Sequence, residues 1–241
     1  MFHHTLKENV SLRVYFDWLT LSFLAGNVNA GGYLSCHRFV SHVTGFATSS
    51  GVAFRQESFL RALGELSIPL FFLIGVMISG YLTEKKMAHR IEGARYAPVM
   101  NLVAVLLGLV AIGGSFDFFG KFGDPVLIKH DYFLLAGLCM ACGLQNAAIT
   151  SASGYTMRTT HLTGLTTDLG LGIVRAELVG KATETEKLQE RRMNLFRLGT
   201  IASFVMGSFV AAYIFSRFEY QGFFFPMALA IYCAKSARRE D

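Results

Sequence analysis

The chain has 241 residues, of which 52% are apolar and only 16% charged, with a mean hydropathy of +0.41 and a net charge of +5. Soluble domains carry roughly 25% charged residues, so this composition excludes an ordinary water-soluble globule and fits a chain dissolved in a bilayer. The basic residues lie between apolar runs, not in a stripe interleaved with aromatics, which excludes a nucleic-acid footprint and reads as topology signalling.

Residues 1–14 read as a cytoplasmic tail in which His3 and His4 are solvated. Lys7 and Arg13 then precede an apolar stretch containing Val28-Asn29-Ala30, the outline of a signal peptide. Cleavage there would discard an element that recurs later in the chain, so the stretch is expected to be retained. Uncharged runs predict helices over 18–36, 66–83, 96–116, 132–157, 198–216 and 220–234. A 19-residue helix is about 28 Å long, close to the hydrocarbon thickness. The run 220–234 is the weakest span, because Arg217 and Lys235 at its ends would have to snorkel. Cys139 and Cys142 have redox or zinc spacing but sit in an apolar run without a second cysteine pair. With Cys36 and Cys233 they read as small buried apolar side chains, and no metal or cofactor is expected.

An eleven-residue pattern occurs twice, as S-H-V-T-G-F-A-T-S-S-G at 41–51 and T-H-L-T-G-L-T-T-D-L-G at 160–170. It matches His42 with His161, Thr44 with Thr163, Gly45 with Gly164, Thr48 with Thr167 and Gly51 with Gly170. Each copy follows a span with a second shared element, G-N-V-N-A at 26–30 and G-L-Q-N-A at 143–147, so that Asn29 matches Asn146. The expected architecture is an all-α integral membrane protein of about six transmembrane helices in two three-helix repeats, 15–116 and 132–234. A Gly/Asp/Lys/Pro linker joins them at 117–131, and a tail follows at 235–241. An odd number of spans per half inverts the second half relative to the first, as in many secondary transporters.

With six spans and both termini in the cytoplasm, only Arg38, Arg55, Arg61, Lys121, Lys129 and Arg217 of the 22 Lys and Arg fall outside. That is the bias of a plasma (inner) membrane protein so oriented. Eight spans in two parallel halves separate the charges almost as well. The segments 39–54 and 162–174 are short and polar for lipid-facing helices, which favours six spans with two re-entrant or half-membrane helices. The charged stretch 176–197 reads as a cytoplasmic helix, supported by the spacings Glu177/Lys181 and Glu184/Lys187 and opposed by Lys187/Arg191.

Thr44-Gly45 and Thr163-Gly164 read as helix starts, with the hydroxyl as cap and glycine permitting a tight turn. Two such starts converging from opposite faces would aim positive dipole ends at one midplane site for an anion or oriented polar solute. The alternative is close packing against neighbouring helices. His42 and His161 are candidates for proton coupling, or else neutral histidines holding the turn. Asp168, one turn into the second short helix, is a candidate for binding solute, proton or cation. Arg158 is its possible ion-pair partner, or a boundary marker. Asn29 and Asn146 either line a polar cavity or bond helices together.

These residues resemble the YoaK family of small bacterial polytopic membrane proteins, a family with a domain of unknown function. The likeness rests on A-G-N-V-N-A-G-G-Y-L (25–34), S-H-V-T-G (41–45), G-L-Q-N-A (143–147) and R-T-T-H-L-T-G-L-T-T-D-L-G (158–170). Members typically carry Asn where this chain has Phe46, and often Tyr where it has His161. The resemblance implies the membrane class and no reaction.

The functional expectation is a secondary transporter or permease of a small polar or anionic solute, with its site between the repeats. It is not an enzyme on this reading, and its partners are the bilayer and the solute. A homo-oligomer is left open. The alternatives are an intramembrane enzyme using His161 and Asp168, and a scaffold docking through 176–197. No G-x-x-x-x-G-K-[ST] loop and no G-x-S-x-G elbow occurs, which argues against a primary ATP-driven pump.

Overall fold

A computed structural model describes residues 12–56, 59–88, 96–124, 131–152, 160–178 and 183–238. They form eight α-helices and, among the described residues, no strand: α1 (Leu12–Cys36), α2 (Val43–Gln56), α3 (Phe59–Ala88), α4 (Ala97–Ser115), α5 (Asp131–Ala152), α6 (Leu162–Ile173), α7 (Glu184–Phe218) and α8 (Phe224–Arg238). Local chemistry sets several of the ends. Pro98 stands in the first turn of α4, where its missing N–H costs nothing. After α4 the chain turns through Asp117, Gly120 and Gly123, all at positive φ. Thr183 opens α7 with a capping box, bonding the Glu186 N–H while the Glu186 carboxylate accepts from the Thr183 N–H. Glu219, at φ 47°, ends α7, and a 3-10 turn over Glu219–Phe223 sends the chain back into α8.

Four stretches are long and apolar enough to cross a membrane: Ala62–Thr83, Ala97–Ser115, Tyr132–Ser151 and Glu184–Ala237. They mark the chain as a membrane protein. The last has 54 residues, about 80 Å if straight. It is two helices, α7 and α8, folded back at the 3-10 turn. The expected first span, 18–36, is not among the four. Its polar residues Ser22, Asn27 and Ser35 are buried and lower its hydropathy, so α1 is an interior helix. The lipid-facing role falls to outer helices: Leu66, Leu70, Leu73 and Met77 on α3, and Met206, Phe209 and Tyr213 on α7, are more than half or nearly half exposed. So large an apolar surface is incompatible with water.

The packing interlocks the two sequence halves. The first helix of each half lies along the third helix of the other: α1 runs parallel to α7, and α5 parallel to α3. On α1–α7, Ser22 donates to the Thr200 carbonyl (2.8 Å), Asn27 to Gly207 (3.3 Å) and Ser208 to Gly26 (3.2 Å). A Cβ on Gly26 would stand 2.8 Å from the Phe204 carbonyl carbon, and one on Gly207 would stand 2.9 Å from that of Phe23. The α3–α5 crossing repeats this geometry. A Cβ on Gly143 would lie 3.0 Å from the Phe72 carbonyl carbon, and one on Gly75 3.1 Å from that of Met140. Gly26 and Gly143, matched in the sequence pattern, thus occupy equivalent close crossings. Gln145 donates to the Leu21 carbonyl (2.7 Å) and joins α5 to an antiparallel α1. Ser236 on α8 donates to the buried Asp17 carboxylate on α1 (3.0 Å). The halves share one hydrophobic core, running from Trp18 and Phe196 to Phe215 and Phe223.

The charged stretch 176–197 is not a separate helix. Residues 184–197 are the first two-fifths of α7, and the chain before it forms a π-helical turn over Val174–Leu178. Glu190 accepts from Arg175 (3.0 Å) and Arg197 (2.8 Å). Glu177 pairs with Arg191 (2.7 Å), whose hydrogen bond holds the carboxyl below the usual carboxylate range. Lys187 bonds Glu184 as expected (2.9 Å), while Lys181, the partner expected for Glu177, lies outside the described residues.

Candidate functional site

The connection after α1 doubles back. Asn29 Oδ1 accepts from both the Ser41 N–H (3.2 Å) and the Ser41 hydroxyl (2.9 Å). Asn29 lies seven residues before the end of α1, so α2 starts about 10 Å below that end and runs back outward along α3. His37 makes the turn at φ 55°, with its N–H on the Tyr33 carbonyl (2.7 Å) and its ring bonded to the Gly123 carbonyl (2.8 Å). Gly32 makes room for Val40, whose Cγ1 would be 2.7 Å from any Cβ there.

The second short helix starts at a similar depth. Gly172 of α6 packs against Glu190 and Arg197, so α6 runs antiparallel to α7. From Gly172 back to His161, and from Arg197 on to Gly207, are both about 15 Å of helix. His161 therefore lies near the level of the Gly26–Gly207 crossing. Depth is all that α2 and α6 share, because α2 packs on α3 and α6 on α7, and the two do not approach each other. Thr44, Gly45 and His42 are thus not brought together with Thr163, Gly164, His161 and Asp168.

The threonines are not caps. Thr44 and Thr163 occupy the second position of their helices, and His161 precedes α6 without a side-chain cap bond. Thr48 and Thr167 donate to the carbonyls of Thr44 (3.1 Å) and Thr163 (2.9 Å), the same local bond at matched positions. Close packing does not explain the glycines either. A Cβ on Gly51, Gly164 or Gly170 would meet nothing within 4 Å, and only Gly45 is crowded, by the His42 ring. His161 and Asp168 are exposed, and Asp168 makes no ion pair among the described residues. Its expected partner Arg158 lies outside them.

The matched asparagines differ. Asn29 is bonded twice, whereas Asn146 is buried with its Oδ1 unpartnered. Ser41 matches Thr160, and the Thr160 hydroxyl is also buried without a partner. The bond that ties the segment before α2 to α1 is therefore not made between its counterparts, Asn146 on α5 and Thr160 just before α6.

A cavity of about 200 Å³ opens between the end of α1 and the start of α2, lined by Tyr33, His37, Arg38, Phe39, His42, Gly45, Phe46 and Ser49. Tyr33 stacks on Phe39 at 4.5 Å, and Phe39 meets His42 edge-on at 6.4 Å. The Arg38 guanidinium bonds the buried Glu65 of α3 at 2.6 Å. A guanidinium, two imidazoles and an aromatic wall can hold a small anion with an apolar body. His42 and Gly45 were legible as candidates, and Ser49 is the counterpart of Asp168. Arg38 and Glu65 were missed. The available signal was an acid at the edge of an apolar run and a basic residue just before the first H-x-T-G element. No group of three metal-ligating side chains occurs among the described residues.

Residues 18–235 match the family described as a protein of unknown function (DUF1275), and the chain belongs to that family. No curated protein and no solved structure matches it.

Proposed function

We propose that the protein is a secondary transporter of a small anionic or polar solute, built of two inverted repeats, with its outward-facing site in the cavity between α1 and α2. The narrower likeness to the YoaK proteins belongs to the same proposal. The antiparallel course of α1 and α5, and the matched glycine crossings, support inversion of the halves. The observation that carries the reading is the unequal state of the two asparagine latches. Asn29 holds Ser41, while Asn146 Oδ1 and the Thr160 hydroxyl oxygen are buried without a partner. Leaving a buried polar group without a partner costs about 1–3 kcal/mol, so the second latch gains by closing. Two equivalent latches in opposite states fit alternating access: Ser41 held by Asn29 while Thr160 is not held by Asn146, then the reverse.

The test uses purified full-length protein in proteoliposomes, in a cysteine-free background. Cysteine pairs replace Asn29 with Ser41, or Asn146 with Thr160. Uptake is followed for a panel of labelled anions: acetate, benzoate, bicarbonate and phosphate. The expected result is uptake of at least one anion that stops when either pair is oxidised and returns on reduction. Absence of flux for the whole panel, or flux indifferent to both cross-links, overturns the reading.

A further inference from the structure

We propose that Glu65 is a proton-binding residue coupled to substrate through Arg38, and that the substrate is a monocarboxylate carried with one proton. The proposal rests on the transporter reading and concerns the same cavity. Arg38 is shared between two roles. Its side chain is 31% exposed and lines the cavity, yet its Nη2 is bonded to Glu65 Oε1 at 2.6 Å. Glu65 is buried, and its second oxygen has no hydrogen-bond partner. Among the described residues, Arg38 is the one cation paired with this acid.

An incoming carboxylate would seek the same fork, because planar bidentate pairing with guanidinium is the strongest contact the cavity offers. The aromatic faces of Tyr33, Phe39 and Phe46 suit a small apolar body behind the carboxylate. In the proposal, the incoming carboxylate draws Arg38 N–H groups away from Glu65, and a proton carried with the substrate compensates the buried carboxylate. The balance is simple: a carboxylate anion enters and bonds Arg38, a proton from water joins Glu65, and no net charge is added. The unpartnered Oε2 is the seat for that proton. Among the described residues, the other titratable or charged groups nearby are His37, His42 and Tyr33 lining the cavity, Arg55 on α2, and Tyr132 on α5, which bonds Ser67. The α4 segment Ala97–Ser115 contributes no titratable side chain.

The experiment is calorimetric titration of the detergent-solubilised full-length protein with sodium benzoate near neutral pH, in two buffers of different ionisation enthalpy. The difference between them counts protons taken up per ligand bound. The expectation is uptake of about one proton by the wild type and none by Glu65→Gln, which still binds; Arg38→Gln weakens binding about tenfold or more. Benzoate binding to the wild type without proton uptake overturns the proposal, even if Glu65→Gln fails to fold. Undiminished uptake in Glu65→Gln also overturns it, by assigning the proton to a histidine. Both results leave the transporter reading standing. Absence of benzoate binding overturns the monocarboxylate assignment, and the transporter reading falls with it only if the proteoliposome panel shows no flux.

Discussion

Replacing Gly26 with alanine tests whether the α1–α7 crossing organises the fold. The new methyl would sit 2.8 Å from the Phe204 carbonyl carbon and nearer still to its oxygen. Carbon atoms pack at about 3.5–4.0 Å, so the helices must part by about 1 Å. Overpacking of this kind costs about 1–3 kcal/mol. Parting the helices also weakens Asn27 to Gly207 and Ser208 to Gly26, each bond worth about 0.6 kcal/mol between membrane helices. Alanine returns up to about 1 kcal/mol of helix propensity. The net loss is about 1–3 kcal/mol, a fall in Tm of roughly 3–10 °C for a chain of this size. Trp18 is the chain's one tryptophan and packs edge-on against Phe196 of α7 at 5.4 Å, so its fluorescence reports directly on this interface during thermal unfolding in detergent. Gly164→Ala is the control, because a Cβ there meets nothing within 4 Å; its Tm should hold or rise slightly. If Gly26→Ala melts with the wild type, or Gly164→Ala falls as far, the crossing does not carry the stability assigned to it.

The matched asparagines should differ in cost: Asn29→Ala loses two bonds, about 1–2 kcal/mol, whereas Asn146→Ala removes an unbonded buried oxygen and should cost less, as paired melting curves will show. Equal losses would mean that the two latches are in the same state. Thr183→Ala removes the cap of α7 and should cost about 1 kcal/mol while leaving anion uptake unchanged, with faster proteolysis just before residue 184 as the local readout. Single cysteines at Lys121 and Lys187, in a cysteine-free background, should label from opposite sides of intact cells, Lys121 from outside; labelling of both from one side would end the six-span inverted arrangement.

Composition and uncharged runs were enough to place the long helices, because a bilayer demands lengths and polarities that a chain displays openly. The duplicated H-x-T-G and N-A elements were also legible, since matched positions do matched local jobs: Thr48 and Thr167 make the same bond, and Gly26 and Gly143 the same crossing. The boundaries of α7 were not legible. The charges of 184–197 resemble a loop, yet helical hydrogen bonding runs through them into the span.

What the sequence by itself determined was the helical, membrane class of the molecule and the pairing of positions between its halves. Those follow from burial in lipid and from repetition, and both are written along the chain. Only the tertiary structure decided that α1 is an interior helix, that α2 and α6 lie on opposite flanks, and that Arg38 faces Glu65 across 27 positions of sequence. It also decided that one latch is bonded and its counterpart is not. Each of these depends on which helix packs against which, a choice made by carbonyl-to-glycine approaches and buried polar bonds between residues far apart in the chain.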